Sequence, residues 1–372
     1  MINKERLINE FINLTKFNSE SFNEAKIEEY VLNELISLGV NVRVDNARES
    51  LKAYSDNPSN NLYGFLKGEG NSLILSAHLD TVSPGNYKNA IIDNDRIKSD
   101  GTTVLGADCL ASVASILEVL KVLKENNLKH KDIEIVFFVA EEPFAKGSRY
   151  FDYSLLKSKK AYVFDLEGNI NNIAIAAPSI ISFDLKIIGK AAHAGFRPSD
   201  GINAISILGD SLKEIKLGKI DDITTVNIGL INGGSGINIV PDLIDLKGEI
   251  RSLDNDKALI ELNRLKNIFE KNAKFYGGNI EFNYEIEFSA YNIDVNQDII
   301  KDYNNAISKL NNDKINYIKT FGGSDNNNLN MHGISGVVIG NGMRNVHSKD
   351  EYILIKDLED TAKLILKLVT LE

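Results

Sequence analysis

This chain of 372 residues has very little cysteine, no tryptophan and no long apolar runs. It has one cysteine, Cys109, and no tryptophan. A single cysteine excludes an internal disulfide and the paired cysteines of structural zinc sites, and it fits a reducing compartment. We therefore expect any bound metal to be held by histidine and carboxylate.

No apolar run approaches the length of a membrane span, and residues 1–16 have the pattern of an amphipathic helix rather than of a signal peptide. We expect a cytoplasmic protein that has no membrane partner. Acidic residues outnumber basic ones, 52 against 42, for a net charge of -10. This balance repels phosphate backbones, so nucleic acid is not an expected partner.

The length exceeds what one hydrophobic core usually serves, which predicts two domains. In the first half, helical and strand patterns alternate, and this alternation indicates an α/β fold. The predicted elements of this half are helices near 3–15, 22–39 and 109–125 and strands at 62–66, 72–77 and 133–140.

The order of elements changes after residue 178 to β-α-β-β-α-β, which predicts an inserted ferredoxin-like α+β domain. After about residue 290 the pattern returns to helix, short strand and helix, so we expect the outer parts to form one discontinuous domain. The predicted bounds are 1–177 and 289–372 for the two parts of the catalytic domain and 178–288 for the inserted domain.

The carboxyl ends of two apolar strands carry the first candidates for chemistry. His78 ends the strand in "SAHLD", two residues before Asp80, and a metal-bound imidazole commonly needs a carboxylate on its other nitrogen. Glu141 and Glu142 follow "IVFFVA", where two adjacent buried carboxylates repel unless a cation or a proton separates them. One can bind a metal while its neighbour acts as a base.

Three further candidates are weak when taken singly. Asp108 in "LGADCLAS" precedes an apolar helix, where a carboxylate is as readily a helix N-cap. Asp165 follows "AYVF", and His347 lies in "NVHSKDE". Two histidines and three carboxylates can give each of two zinc ions an imidazole, a terminal carboxylate and a share of a bridging carboxylate, which leaves a position for water.

The order of the motifs H-x-D, G-A-D, E-E, D-x-E-G, "KAAHAG", "GGSD" and "VHS" closely resembles the peptidase T-like zinc peptidases, relatives of carboxypeptidase G, acetylornithine deacetylase and aminoacylase. The resemblance extends from about His78 to Glu351. It implies a catalytic domain with a mixed sheet flanked by helices and an inserted domain that acts as a lid and dimer interface. It also implies two zinc ions, a short peptide substrate and a homodimer; cobalt and manganese accept the same ligands.

Carried over residue by residue, the resemblance implies a role for each metal-site candidate. The implied ligands are His78, Asp108 and Asp165 for the first zinc, and Glu142, His347 and the bridging Asp108 for the second. Asp80 would orient His78, and Glu141 would be the general acid and base.

The resemblance also implies substrate contacts. His193 would stabilise the tetrahedral oxyanion in the partner subunit's site, unless it is only part of a lid turn. Arg251 in "GEIRSLD" would bind a substrate carboxylate with its planar fork, unless it forms a salt bridge to Asp254. Asn238 would hydrogen-bond substrate. The loop expected to let substrate approach the backbone consists of Gly322, Gly323 and Ser324.

One stretch departs from the family pattern, "GADDKAG", which is "GADCLAS" here. The second acid is replaced by Cys109, the lysine by Leu110 and the last glycine by Ser112, while Asp108 is kept. We expect a cis bond between Asp108 and Cys109, as in relatives, and an effect of Cys109 on metal affinity or redox sensitivity. His130 and His332 match no motif, and we interpret them as solvated or capping residues.

The leading functional hypothesis is a tripeptidase-like aminopeptidase, because "DLEG", "GEIRSLD" and "GGSD" resemble the peptidase T-like branch most. The first alternative is a carboxypeptidase or N-acyl amino acid amidohydrolase with the same metal site. The second is a non-catalytic metal-binding homologue, suggested by the altered "GADCLAS" stretch, although the retained Glu141 argues against it.

Overall fold

The computed structural model describes residues 1–310 and 314–371. The chain divides into two compact units. The first unit comprises Met1–Ala176, Ile293–Lys319 and Ser324–Glu372, and the second comprises Ala177–Asn292 and Thr320–Gly323. The second unit therefore extends four residues past the predicted bound at 288, and it includes residues 320–323, which the prediction placed in the catalytic domain.

Helices and strands alternate along both units. The helices are α1 (Lys4–Thr15), α2 (Ala25–Ser37), α3 (Ala47–Leu51), α4 (Ala107–Glu125), α5 (Lys146–Arg149), α6 (Ala204–Glu214), α7 (Asn255–Tyr276), α8 (Asp298–Ser308), α9 (Asp325–Met331) and α10 (Ile355–Val369), with 3-10 turns at Tyr153–Leu155 and Pro198–Asp200. The strands are β1 (Asn41–Val44), β2 (Leu62–Leu66), β3 (Leu73–His78), β4 (Ala90–Asp93), β5 (Arg96–Ser99), β6 (Ile133–Phe138), β7 (Lys160–Leu166), β8 (Asn172–Ala177), β9 (Ser179–Ile188), β10 (Gly218–Lys219), β11 (Thr224–Gly233), β12 (Leu243–Ser252), β13 (Asn279–Phe288), β14 (Tyr291–Asn292), β15 (Asn316–Lys319), β16 (Ser335–Gly340), β17 (Met343–Arg344) and β18 (Tyr352–Leu354).

The large sheet of the first unit has the order β1-β2-β6-β3-β7-β16-β8, with β15 beside β8. Its centre is parallel: β3 pairs with both β6 and β7, and β16 pairs with β7. Antiparallel β1 and β2 close one side. Strands β3 and β6 are fully buried, which explains their continuous apolar sequences. The predicted α/β class with a mixed sheet flanked by helices is confirmed.

The parallel pairing places the ends of β3 and β6 at one edge of the sheet. His78, the last residue of β3, lies opposite Phe138, the last residue of β6. Glu141 and Glu142 follow Phe138 directly in the chain. Helix α4, which is buried along most of its length, packs against β3 and β7 behind this edge. Segments distant in sequence therefore meet where ligands bind in open α/β sheets.

The second unit contains an antiparallel sheet in the order β10-β11-β12-β9-β13 and the helices α6 and α7. In β9, alternate residues are buried from Ile181 to Ile187, as expected of a strand with one face on a core. Leu265 and Phe269 of α7 join the same core. The predicted β-α-β-β-α-β order is confirmed, with the two-residue strand β10 in addition.

A small sheet in the first unit, in the order β17-β18-β5-β4, was not predicted. Its hairpin of β4 and β5 has strands of four residues each, which turn through Asn94 with φ of 56°. Strands this short show too little alternation to be recognised in a sequence. Within the described part of the chain, no helix is long and apolar enough to cross a membrane.

Candidate metal centre

Asp108 lies at the centre of a cluster of histidines and carboxylates in the first unit. Its Oδ1 is 3.0 Å from Nε2 of His78, and its Oδ2 is 3.1 Å from Nε2 of His347. The two oxygens of one carboxylate thus face two different imidazoles. This is the arrangement required of a ligand that bridges two metal ions. The helix is kinked at Asp108 and Cys109, and the contacts of both Asp108 oxygens with imidazoles favour the role of a ligand over that of a helix N-cap.

Each imidazole also faces a second carboxylate. Asp165 Oδ1 is 3.4 Å from Nε2 of His78, and Glu142 Oε2 is 3.0 Å from Nε2 of His347. The ligand atoms form two groups, each within 4.8 Å: His78, Asp108, Cys109 and Asp165 in one, and Asp108, Glu142 and His347 in the other. The structure therefore brings together both predicted ligand sets, and the Cys109 thiol lies beside the first.

The donor atoms present fit a pair of divalent metal ions. Imidazole nitrogens and carboxylate oxygens are the donors that zinc, cobalt and manganese accept. In the described chain, the buried Oε1 of Glu142 has no hydrogen-bond partner. A buried carboxylate oxygen without a donor is costly, and a cation would compensate for this cost.

Asp80 stabilises the turn that carries Glu141 and Glu142. Its main-chain oxygen is 3.0 Å from Nδ1 of His78, and its Oδ1 is 3.4 Å from the same nitrogen. The carboxylate also accepts hydrogen bonds from the backbone amides of Glu141 (2.9 Å) and Glu142 (3.1 Å) and from the Ser21 hydroxyl (2.7 Å). Asp80 thus lies where it could orient the histidine, and its carboxylate holds the backbone of the turn that carries Glu141 and Glu142.

Crowding of negative charge dominates the electrostatics of the cluster. Burial, together with neighbouring carboxylates, raises the pKa of Glu142 to about 7 and of Asp165 to about 6, and it raises the pKa of Glu141 well above its usual range. Hydrogen bonds to Asp108 and Glu142 raise the pKa of His347 to about 10. A cation would favour charged carboxylates and neutral imidazoles at these positions.

Glu351 supports the cluster and was not predicted. It is buried, and its carboxylate accepts hydrogen bonds from the backbone amides of Leu105 (2.6 Å), Gly106 (2.8 Å) and Asp108 (3.1 Å). Burial raises its pKa to about 7. It lies four residues after His347, but only the folded chain shows that it holds the loop before Asp108.

Ser324 and Asp325 begin helix α9 in the first unit. The Ser324 hydroxyl accepts a hydrogen bond from the amide of Asn326, and Asn327 Oδ1 accepts one from the amide of Ser324. Ser324, predicted as part of a substrate loop, is thus engaged in a capping box. Asp325, the last residue of "GGSD", was not among the predicted site residues; it is buried, which raises its pKa well above the usual range.

His193 and Asn238 lie on exposed segments of the second unit. Nδ1 of His193 accepts hydrogen bonds from the amides of Gly195 (3.1 Å) and Phe196 (3.2 Å), so a neutral ring carries its proton on Nε2. The backbone oxygen of Asn238 accepts a hydrogen bond from the amide of Ala194 at 2.9 Å, which keeps the two segments side by side.

Arg251, in the second unit, is paired with Glu249. Its Nε and Nη2 donate to the two carboxylate oxygens of Glu249 at 2.8 and 3.0 Å, and its Nη1 donates to the Phe321 carbonyl oxygen at 2.8 Å. The alternative salt bridge to Asp254 is not formed, since Asp254 caps α7 by accepting from the Lys257 amide. Residues two apart in a strand share a face, which is the signal that could have revealed Glu249.

The glycines of the predicted loop differ in what they tolerate. A Cβ on Gly323 would lie 2.4 Å from the ring of Phe288, so this position needs glycine for packing within the second unit. A Cβ on the exposed Gly322 would have its nearest neighbour, Thr320 Oγ1, at 3.5 Å. Of these two glycines, Gly323 is required by packing and Gly322 is not.

Three smaller expectations concern the backbone and the remaining histidines. The bond between Asp108 and Cys109 is cis, as expected. His332 ends α9, and its Nδ1 donates to the Asn328 carbonyl oxygen at 2.8 Å, in agreement with a capping role. His130 is partly buried, and its Nδ1 lies 2.7 Å from the Lys131 oxygen.

A mixed α/β fold with histidines and carboxylates gathered at one edge of its sheet is typical of metal-dependent hydrolases. The chain belongs to peptidase family M20/M25/M40, whose family model matches residues 74–371. The uncharacterized protein YqjE of Bacillus subtilis (strain 168) is 34% identical over 372 residues, which cover 99% of both chains.

Two solved structures are similar over the whole chain. A tripeptidase from Staphylococcus aureus subsp. aureus Mu50 is 34% identical, with a TM-score of 0.94 over 99% of this chain and 98% of that one. The aminopeptidase PepT from Bacillus cereus ATCC 10987 is 34% identical, with a TM-score of 0.92 over the same shares. The predicted peptidase T-like family and the predicted class, a metallopeptidase that hydrolyses peptide bonds, are thereby confirmed.

Proposed function

We propose that this protein is a cytoplasmic two-zinc aminopeptidase that releases the N-terminal residue of short peptides, in particular tripeptides. The observation that carries the proposal is the position of Asp108 between His78 and His347, each imidazole having a further carboxylate beside it. This arrangement supports two metal positions that share one ligand. The two similar structures, a tripeptidase and the aminopeptidase PepT, support the choice of substrate.

The metal pair, when bound, would polarise the scissile carbonyl and lower the pKa of an attacking water. Glu141 is the protein group that would take the proton of that water and deliver it to the leaving amine. It is buried beside the cluster, its backbone amide is held by Asp80, and burial keeps its pKa well above the usual range. A carboxyl whose pKa is raised toward neutrality suits both halves of this proton transfer.

Residues of the second unit would bind the substrate. Because Nδ1 of His193 accepts from the amides of Gly195 and Phe196, its Nε2 would be the nitrogen that donates to an oxyanion. Arg251 would release the carboxylate of Glu249 and bind a substrate carboxylate in its place. Asn238 and Gly322 would add polar contacts to the substrate. This exchange of one carboxylate for another keeps the guanidinium paired throughout.

Amine release from unblocked di- and tripeptides, compared with the same peptides N-acetylated, tests the proposal. We expect zinc-reconstituted protein to cleave unblocked tripeptides and release the N-terminal residue. Glu141→Gln should keep its zinc but lose turnover by roughly 10²- to 10⁴-fold, the usual contribution of a general acid and base.

The other outcomes point to the alternatives. Preference for blocked substrates would move the assignment to N-acyl amino acid amidohydrolases, and release of the C-terminal residue would move it to carboxypeptidases. Loss of zinc from Glu141→Gln would show that this residue is a ligand rather than a base. Zinc binding without turnover on any substrate would support a non-catalytic homologue.

We also propose that the second unit forms a homodimer interface. Beyond its short pairing with β10, strand β11 is an edge of the sheet in the described chain, and it exposes Leu230 and Ile231, with Ile237 exposed in the following loop. An apolar open edge is a ready template for a second strand. Light scattering should give the mass of a dimer for the wild type and of a monomer for Leu230→Glu. Phe275→Glu, which alters an exposed apolar residue of α7, should remain dimeric.

A further inference from the structure

Two side chains of α4 converge on one backbone oxygen next to a candidate metal ligand. The Cys109 thiol donates to the carbonyl oxygen of Phe164 at 2.9 Å, and the Ser112 hydroxyl donates to the same oxygen at 2.5 Å. Both side chains are fully buried. Phe164 directly precedes Asp165, so these hydrogen bonds act on the peptide unit that carries this ligand.

The strand is irregular at this point. In the pairing of β7 with β16, Val163 lies opposite Val338 but Leu166 lies opposite Gly340, so β7 contains one extra residue between these pairs. Such a bulge interrupts the regular ladder and re-aims the side chains of the bulged strand. The orientation of Asp165 therefore depends on what holds Phe164 and Asp165 within the bulge.

The direction of the Ser112 hydrogen bond is fixed by Asn341. The Asn341 side-chain amide donates to Ser112 Oγ at 2.9 Å, and its Oδ1 accepts from the Met343 amide at 3.0 Å. Because the hydroxyl accepts from Asn341, its own hydrogen is free to point to the Phe164 carbonyl.

We propose that Cys109 and Ser112 are positioning residues for Asp165 and set the affinity of the first metal site, that of His78, Asp108 and Asp165. They are two of the three positions at which this chain departs from the family pattern "GADDKAG", and they replace an acid and a glycine with two neutral donors to one carbonyl. The inference rests on the metal centre of the proposed function, but not on its substrate.

Zinc affinity, measured by competition with a chelator, tests the proposal site by site. Glu142→Gln removes a ligand from the second site only, and Asp165→Asn removes one from the first site only. In the Glu142→Gln background, Ser112→Ala should weaken zinc binding by roughly 10- to 100-fold, as loss of a partner that orients a ligand typically does. In the Asp165→Asn background the same change should have little effect.

The chain offers a matched control and a conservative variant. Ser115 lies on the same helix, is equally buried and bonds to the backbone oxygen of Ala111 at 2.8 Å, so Ser115→Ala should leave both affinities unchanged. Cys109→Ser, which keeps a donor, should bind zinc more tightly than Cys109→Ala. Thermal unfolding of the metal-free variants verifies that each is folded. If Ser112→Ala does not fold, Cys109→Ala provides the test.

Equal weakening in both backgrounds, or weakening by Ser115→Ala to the same extent, would overturn the inference in favour of a general packing effect. No weakening by either Ser112→Ala or Cys109→Ala would also overturn it. These results are distinct from failure of the proposed function. If the variants show the site-specific losses of zinc affinity but the wild type cleaves no peptide, the inference is supported and the aminopeptidase proposal is contradicted.

Discussion

The candidate residues of the two units differ in how firmly the protein holds them. In the first unit, Asp80 and Glu351 are buried, and each accepts several hydrogen bonds that fix the backbone beside a metal-site residue. In the second unit, His193 and Asn238 are exposed and are held by hydrogen bonds to short stretches of loop backbone. The backbone beside the candidate metal residues is thus held by buried side chains, whereas the candidate substrate residues His193 and Asn238 are carried by loops.

This difference follows from where each set sits in the fold. Most metal-site side chains lie at or directly after strand ends or on a buried helix, whose positions are fixed by core packing. The exception is His347, which lies half-exposed on the loop between β17 and β18. Loops run over the surface and adapt, which suits residues that must meet varied peptides. Substitutions of the candidate metal ligands in the first unit should therefore lower metal content, and substitutions of His193 or Asn238 in the second unit should lower turnover alone.

The largest effect is expected from Asp108→Asn. The neutral amide cannot bridge two cations, so both metal positions should lose affinity together, and turnover should fall by roughly 10³-fold or more, since metal ions supply several kcal/mol of transition-state stabilisation. Metal content and activity are measured on the same preparation. The exposed Asp95→Asn should change neither quantity. Retention of two ions by Asp108→Asn would refute its bridging role.

A smaller effect, confined to turnover, is expected from His193→Ala. Loss of one oxyanion donor typically lowers kcat by about 10²- to 10³-fold. Metal content should stay at the wild-type value, because His193 belongs to the second unit and the candidate metal ligands belong to the first. Steady-state kinetics with metal analysis checks this, and His332→Ala, which alters an exposed histidine of the first unit, is the control. Unchanged kcat would assign His193 to a structural turn.

The smallest effect is expected from Ser324→Ala, which separates a cap from a substrate contact. Loss of the N-cap should lower the free energy of unfolding by about 1 kcal/mol. Because the hydroxyl is engaged with the amide of Asn326, KM should change little. Denaturant unfolding and kinetics together decide the point. A raised KM at unchanged stability would return Ser324 to the substrate loop.

The grouping of the candidate ligands could be predicted because most of them stand at recognisable places in the sequence. His78, Glu142 and Asp165 end or follow apolar strands, and the carboxyl ends of neighbouring parallel strands meet at one edge of a sheet. Asp108 was ambiguous with a helix cap, and the resemblance to a family decided in favour of a ligand. The order of elements in both units was predictable for a similar reason, since their periodicities are strong.

The supporting contacts could not be predicted, because they depend on pairs of residues far apart in the chain. Glu351 holds the amide of Asp108 across more than two hundred residues, and nothing near Glu351 in the sequence indicates this partner. Gly323 is explained by the ring of Phe288, not by an approaching substrate. Glu249, by contrast, was readable from its spacing to Arg251, which a strand places on one face.

The burial of Cys109 makes the chain a reporter of its own local opening. As the single thiol of the sequence, it lies within the group of His78, Asp108 and Asp165 and is closed off from solvent. A thiol-reactive reagent can modify it only when this region opens, so the labelling rate measures the free energy of that opening. Zinc that binds the closed state should slow the labelling as its occupancy rises. The labelling rate of the Cys109 thiol would therefore report whether the metal centre is intact.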